Sequence, residues 1–390
     1  MPETRLSKID QRAIDELIDW MVDGARPSAN SFEIISGMCE HLVAAGVPID
    51  RFALFIYTLH PNRIGWRYTW TPETGVKRSE GPIGLFSTEE YTANPLPTVI
   101  AKQIAIRRKL ADPTTPHDFR IIEELIADGF TDYLVQPIIY TTGETNAASW
   151  SSKAPAGFTD EAALVLERIN RPLARITEAF LLRANAASVL TAYVGRNGSD
   201  QVLKGKIHRG DGEEIEASIL FTDIAGFTEL SNAMAGPEVV AMLNDAFDLM
   251  VPAVESHGGE ILKFLGDGFF AIFPHSGNDG MAKTADAARA AVAESEAAVA
   301  AAPVGERVSF RSAIHAGRFH YGNIGGAARL DFTAIGRPVN YTARLLAAAS
   351  TLKLSRVASE LVAPHLGVPA RLAEAVAFKG FAGTQPVFTY

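Results

Sequence analysis

Two aspartates stand where apolar runs break. Asp223 closes "ASILFTD", and Asp267 lies between two glycines in "GGEILKFLGDGFFAIF". Paired carboxylates repel unless a proton or a cation lies between them. Hard oxygen ligands of this kind suit Mg²⁺ or Mn²⁺, which take their remaining ligands from water and phosphate. Two ions held this way can activate a hydroxyl and steady a leaving phosphate. Each aspartate alone has an ordinary explanation, since Gly-Asp-Gly is a good turn and Asp223 can cap a helical turn. Lys263 is the second chemical feature. It stands four residues before Asp267 among Ile261, Leu262, Phe264 and Leu265. Burial of an unpaired charge is costly, so this segment reads as a site or as a compensated pair. Third, Asn340 and Arg344 in "GRPVNYTARLL" fall on one helical face. An amide and a guanidinium so placed can orient a ribose and neutralise a phosphoryl group; a solvated pair is the plainer alternative.

The elements that must position these residues follow a regular order beyond residue 213. "ASILFTDI" reads as a strand, and "GPEVVAMLNDAFDLMVPAVESHGG" as a helix with Pro237 in its first turn. "EILKFL" and "FFAIF" read as a hairpin across the Gly-Asp-Gly turn. An Ala-rich helix follows, then strands "RVSFRSAIHAG" and "HYGNIG", and a helix from about Val339 to Leu354. Strand, helix, hairpin, helix, strand is a ferredoxin-like α+β order. In that sheet the first and third strands are antiparallel neighbours, which brings Asp223 beside Asp267.

The front of the chain mixes both patterns. "SFEIISGMCEHLVAAG" has helical spacing, whereas "RFALFIYTL", "GWRYTWT", "YLVQPIIYT" and "NAASWSS" read as strands. Trp66, Tyr68 and Trp70 line either a pocket or an ordinary core. Leu166, Ile169, Leu173, Ile176, Phe180, Ala187 and Leu190 recur at three-and-four spacing. That fits either a dimeric helical seam or a helix on its own domain, with Pro172 as the expected interruption. Residues 195–216 are polar and Gly-rich and mark a boundary. The expected division is a regulatory α+β domain over 1–158, a helical, coiled-coil-forming linker over 159–212 and a ferredoxin-like catalytic domain over 213–390.

Composition narrows the function classes. A net charge of −9 with 47% hydrophobic and 21% charged residues describes an ordinary acidic globular chain and argues against nucleic acid or an anionic membrane as partner. Cys39 is the single cysteine, which excludes an intrachain disulfide and a thiolate zinc cage. No apolar run is long enough to span a bilayer and the N-terminus lacks a signal-peptide core, so the reading is cytoplasmic.

In order and spacing, "FTDIAGFTELS", "GGEILKFLGDGFFAIF", "IHAGRFHYGNIG" and "RLDFTAIGRPVNYTARL" resemble the successive motifs of class III adenylyl cyclases. The resemblance implies ATP as substrate, two Mg²⁺ or Mn²⁺ ions, and a head-to-tail homodimer with each active site shared between chains. Asp223, Asp267 and the backbone carbonyl of Ile224 correspond to metal ligands. Lys263 corresponds to the adenine-reading lysine, Asn340 to the ribose-orienting residue and Arg344 to the transition-state cation. Lys379 in "FKGFAG" matches a phosphate-contacting lysine, and Arg329 lies near another phosphate-contacting position. Thr333 departs from the commoner aspartate beside the lysine and resembles a subgroup several of whose members respond to bicarbonate. A lysine donor suits an adenine ring nitrogen, and the Thr333 hydroxyl can accept from the 6-amino group. Guanine presents N–H donors there, so ATP is favoured over GTP. A guanylyl cyclase and a catalytically silent regulator are the alternatives. Residues 130–169 resemble the end of a GAF-type sensor domain, with an unknown ligand.

Overall fold

Apolar runs separated by Gly, Asn and Pro turns build two antiparallel-rich sheets, one in each of two units, Met1–Val189 and Leu190–Tyr390. The computed structural model describes residues 9–28, 30–277, 280–326 and 329–390.

The first unit contains α1 (Gln11–Val22), α2 (Ser31–Ala44), β1 (Arg51–Tyr57), β2 (Arg63–Thr71), β3 (Gly75–Pro82), α3 (Glu89–Thr92), α4 (Leu96–Lys102), β4 (Ile106–Arg108), α5 (Arg120–Ala127), β5 (Asp132–Ile139) and β6 (Thr145–Ser152). Side-chain caps start the first two helices: Asp10 accepts from the Arg12 and Ala13 amides, and Asn30 from those of Phe32 and Glu33. The sheet order is β3-β2-β1-β6-β5-β4, and every neighbouring pair is antiparallel.

The long helix α6 (Asp160–Leu203) corrects two expectations. Leu166, Ile169, Leu173 and Ile176 are buried in one core with Ile14, Leu42, Phe52 and Trp150. The first half of the expected seam is therefore the stripe by which α6 covers its own domain. Pro172 does not break the helix; Gly195 does, at φ 78 and ψ 170, a conformation open chiefly to glycine. Residues 196–203 continue as helix beyond that break, and Asn197 docks on Glu260, its amide donating at 2.7 Å and its side-chain nitrogen at 3.0 Å. The division between the two compact units falls inside α6, between Val189 and Leu190.

The second unit contains β7 (Gly212–Ile224), α7 (Phe227–Asn232), α8 (Gly236–Ser256), β8 (Glu260–Phe264), β9 (Phe269–Pro274), α9 (Gly280–Ala301), β10 (Phe310–Gly325), β11 (Leu330–Ile335), α10 (Arg337–Leu352), β12 (Arg356–Ser359), β13 (Arg371–Ala377) and β14 (Thr384–Thr389). Its sheet runs β13-β14-β12-β10-β7-β9-β8, with β11 also on β10. The stretch β10-β7-β9-β8 has the ferredoxin-like order. The two strands expected over 307–325 are one continuous strand, β10. Alternation along β7 splits the core in two. Leu220 and Ile224 face α8 and α9 with Met242, Ala246, Phe269 and Phe273, while Ile219 and Phe221 face α10 with Phe270, Leu345 and Ala349. Ala285, Ala288 and Ala291 are fully buried, and their small side chains allow α9 to lie close to its neighbours.

Candidate active site

The carboxylates meet because β7 ends where β9 begins. The Ile224 amide donates to the Asp267 carbonyl at 3.1 Å, which ties the two strand ends together. Two glycines make the turn feasible. Gly266 has φ 71, and the Leu265 amide closes the hairpin on the Gly268 carbonyl at 2.8 Å. A β-carbon on Gly268 would lie 1.8 Å from the Thr222 carbonyl oxygen, so only glycine fits beside the Asp223 strand. Gly268→Ala is expected to destabilise the chain by about 2–3 kcal/mol, as overpacking against a rigid backbone does, and to separate the carboxylates. A chemical-denaturation midpoint equal to that of the unsubstituted chain would contradict this.

Asp223 is one-quarter exposed and clamped by Arg311. The guanidinium Nε donates to Oδ1 at 2.8 Å and Nη2 to Oδ2 at 3.0 Å, while Nη1 donates to Ser350 Oγ on α10. Register explains the pair, since Arg311 on β10 is directly opposite Asp223 on β7. Burial raises the Asp223 carboxyl above the usual carboxylate range; Arg311 opposes this and the Asp267 charge adds to it. Such a carboxylate pair, short of positive charge once Arg311 turns away, fits a divalent cation. The described residues hold no cluster of three or more His, Cys, Asp or Glu side chains, so further ligands must come from backbone carbonyls, water or substrate oxygens.

Lys263 is not buried; its side chain is 43% exposed. The β8–β9 register shifts between Ile261 and Lys263, an irregularity that re-aims the lysine out of the apolar run. Its ammonium pairs with the Asp331 carboxylate on β11, not with Asp267. Thr333 lies two residues further along β11, on the same strand face as Asp331, opposite Gly322 of β10 and half-buried.

Helix α10 presents two sides. Tyr341, Leu345, Ala348 and Ala349 are buried against the sheet, whereas Asn340 and Arg344 are exposed. Helical geometry puts the Asn340/Arg344 stripe about 100° round the axis from Ser350, which Arg311 reaches, and ~9 to ~15 Å along it. Asn340 and Arg344 therefore point away from the sheet that carries the carboxylates of their own chain. Lys379 is exposed in the turn after β13, and that turn is pinned to α10: the Phe378 and Phe381 rings each lie 5.2 Å from Tyr341. Tyr341 also lies 4.3 Å from the His315 ring, whose Nδ1 is 2.7 Å from Ser359 Oγ. Burial pushes His315 down to about 4, so it packs as a neutral imidazole. Arg329 is exposed at the entry to β11.

The structure thus brings together Asp223, Asp267 and Ile224; it sets Thr333 beside a Lys263–Asp331 pair; and it carries Asn340 and Arg344 on a separate face. Sequence reasoning missed Arg311 and Asp331. Strand parity was their signal, Arg311 standing at the β10 position opposite Asp223 and Asp331 in phase with Thr333.

Residues 212–366 match the model of the adenylate and guanylate cyclase catalytic domain. An uncharacterized protein of Mycobacterium bovis is 31% identical over 205 residues, which cover 48% of this chain and 34% of that protein. Adenylate cyclase 1 of Rhizobium meliloti is 38% identical over 138 residues, covering 33% of this chain and 20% of that protein. The chain spans about a third or less of the length of these relatives. Among solved structures, the adenylyl cyclase CyaB from P. aeruginosa is similar at 25% identity and a TM-score of 0.41, over 46% of this chain and 94% of that one. The second unit, with its ferredoxin-like sheet and paired strand-end aspartates, carries a class III adenylyl/guanylyl cyclase catalytic domain.

Proposed function

We propose that the chain is an adenylyl cyclase, converting ATP to 3′,5′-cyclic AMP and pyrophosphate at sites shared between two copies. The observation that carries this reading is the meeting of Asp223 and Asp267 at strand ends joined by the Ile224–Asp267 hydrogen bond. With the Ile224 carbonyl, these side chains would hold divalent cations. Bound there, such ions supply Lewis acidity to the attacking 3′-hydroxyl and to the phosphates. Arg311, freed from Asp223 as cations take up its charge, is placed to meet phosphate oxygens with its planar fork. Lys263 donates to the adenine ring nitrogen and Thr333 accepts from the 6-amino group. Asn340 holds the ribose in line for attack, and Arg344 meets the charge that develops on the transferring phosphoryl group. Lys379, on the turn tethered to Tyr341, adds charge for the departing pyrophosphate.

The two faces of α10 support a divided site: one chain contributes the carboxylates, a second Lys263, Thr333, Asn340 and Arg344, and two-fold symmetry doubles the arrangement. The first unit supports a regulatory role. It contains an open cleft of about 310 Å³ lined by Tyr57, Trp66, Glu80, Leu85 and Tyr91. That volume and aromatic lining suit a small aromatic ligand. Tyr68 and Trp70, by contrast, are core residues. Among the described residues no helix is long and apolar enough to cross a membrane.

One observation favours a second reading. The Asp331 carboxylate is an acceptor that guanine N–H groups could use, as a guanylyl cyclase requires; Lys263 engages it here. Purified chain with Mn²⁺ and either nucleotide separates the two readings. Cyclic AMP is expected to exceed cyclic GMP at least ~10-fold, the discrimination that mismatched hydrogen-bond donors and acceptors impose. Cyclic GMP in excess would select the second reading, and no cyclic product from either nucleotide would overturn both.

A further inference from the structure

We propose that the first unit carries a pocket for a small carboxylic acid with one aromatic ring, seated between its sheet and α6. The pocket has a volume of about 190 Å³ and is distinct from the cleft lined by Tyr57 and Tyr91. Strand alternation separates the two, since Leu54 of β1 lines the pocket while Phe55 and Tyr57 line the cleft. Its inner wall is apolar and buried: Ile35 of α2, Leu54 of β1, and Leu173, Ile176 and Leu181 of α6. An apolar cavity of about 150 Å³ accepts a benzene ring, so this one has room for such a ring with a short arm. The three α6 side chains belong to the helix that runs on into the second unit, so an occupant touches the segment that joins the two.

Polar groups stand at the mouth. Arg78 and Phe180 are exposed members of the lining. Arg78 is opposite Tyr68 in the β2–β3 register, and its guanidinium carbon lies 5.3 Å from the Trp66 ring centre and 5.9 Å from that of Phe32. Stacking on rings steadies the fork and keeps its N–H edge for a carboxylate. Among the described residues no carboxylate takes that edge, for Glu80, two residues along β3, is engaged by Arg63 at 2.6 Å. Tyr68, otherwise a core residue, also lines the pocket. Ser31 Oγ donates to its hydroxyl at 3.3 Å, which leaves the phenolic O–H to donate to the same anion. A ring-sized apolar chamber beneath a cationic donor edge is the complement of an aryl carboxylate.

The test is calorimetric titration of the full chain with 3-phenylpropionate and with its uncharged amide, on wild type, Arg78→Gln, Ala184→Phe and Tyr91→Ala. Wild type is expected to bind the acid saturably, with a Kd on the order of 0.1 mM, an affinity that a ligand of this size can reach. Arg78 is exposed, so Arg78→Gln should keep the fold and weaken the acid about 10-fold, the scale of one charge-assisted hydrogen bond. The amide should bind wild type with that same weakness and be indifferent to Arg78→Gln, because the arginine acts through the carboxylate. Ala184 lines the pocket from α6, and Ala184→Phe should fill it and abolish binding of both compounds. Tyr91→Ala, in the other cleft, should change neither affinity. If Ala184→Phe loses the native circular dichroism spectrum, Ala184→Leu replaces it and should weaken both compounds. Absence of saturable binding at millimolar acid would overturn the proposal, as would equal affinities in wild type and Arg78→Gln. Binding lost in Tyr91→Ala and kept in the Ala184 variant would overturn it too, by assigning the acid to the cleft. Which nucleotide the second unit turns over has no bearing on these outcomes.

Discussion

Asp223→Asn is expected to lower kcat by about 10³-fold or more, the loss that follows when a metal-activated nucleophile loses a charged ligand. The substitution keeps the shape of the side chain and one acceptor for Arg311, so the hairpin and its Ile224–Asp267 hydrogen bond should survive. What it removes is half of the anionic charge that divalent cations require. Asp267→Asn should match it, since neither carboxylate has a third acidic neighbour among the described residues to take over. The effect should be in turnover and in the Mn²⁺ concentration for half-maximal rate, with circular dichroism unchanged. Retained activity in Asp223→Asn would remove the metal assignment.

The second large effect is expected at Arg344. Its side chain is exposed, and no hydrogen bond or ion pair to it is seen among the described residues, so folding does not explain its place on α10. A guanidinium held for charge that appears only in the transition state contributes to kcat and little to KM. Arg344→Ala should therefore lower kcat about 10²- to 10³-fold with KM for ATP within about 3-fold, in line with the loss of one preorganised donor at a developing charge. Arg344→Lys should recover little, because an ammonium cannot reproduce the planar two-pronged contact. A KM effect without a kcat effect would assign Arg344 to ground-state binding instead.

Much of this arrangement was legible in the residues. The Gly-Asp-Gly turn, flanked by two apolar runs, gave a hairpin, and the order of elements made β7 and β9 neighbours. From those two facts alone the meeting of Asp223 and Asp267 follows. The helical phase of Asn340 and Arg344 was equally plain, since buried Tyr341 and Leu345 alternate with them.

What was hidden depended on tertiary context. Leu166, Ile169, Leu173 and Ile176 carry an apolar stripe that looks the same whether it meets a second chain or its own sheet, and only the core containing Trp150 decides. Pro172 reads as a helix breaker, yet a proline within a long, well-packed helix can be absorbed; the break came at Gly195, where the chain needs a left-handed residue. Lys263 looked buried because its neighbours are apolar, and a register shift in β8 turned it outward. Such irregularities have no sequence mark of their own. Arg311 and Asp331 were concealed for a related reason: each acquires its meaning from a residue on another strand, Asp223 for one and Lys263 for the other.

The divided site is tested most directly by mixing two inactive variants. Asp223→Asn lacks the metal half and Arg344→Ala lacks the transition-state half, yet a mixed dimer contains one intact site and one doubly impaired site. Random pairing of equal amounts makes half of the dimers mixed, each with one of its two sites working, so about a quarter of wild-type activity should return. Activity no greater than the sum of the two variants assayed alone, with mixed dimers shown to form, would mean that a single chain supplies the whole site.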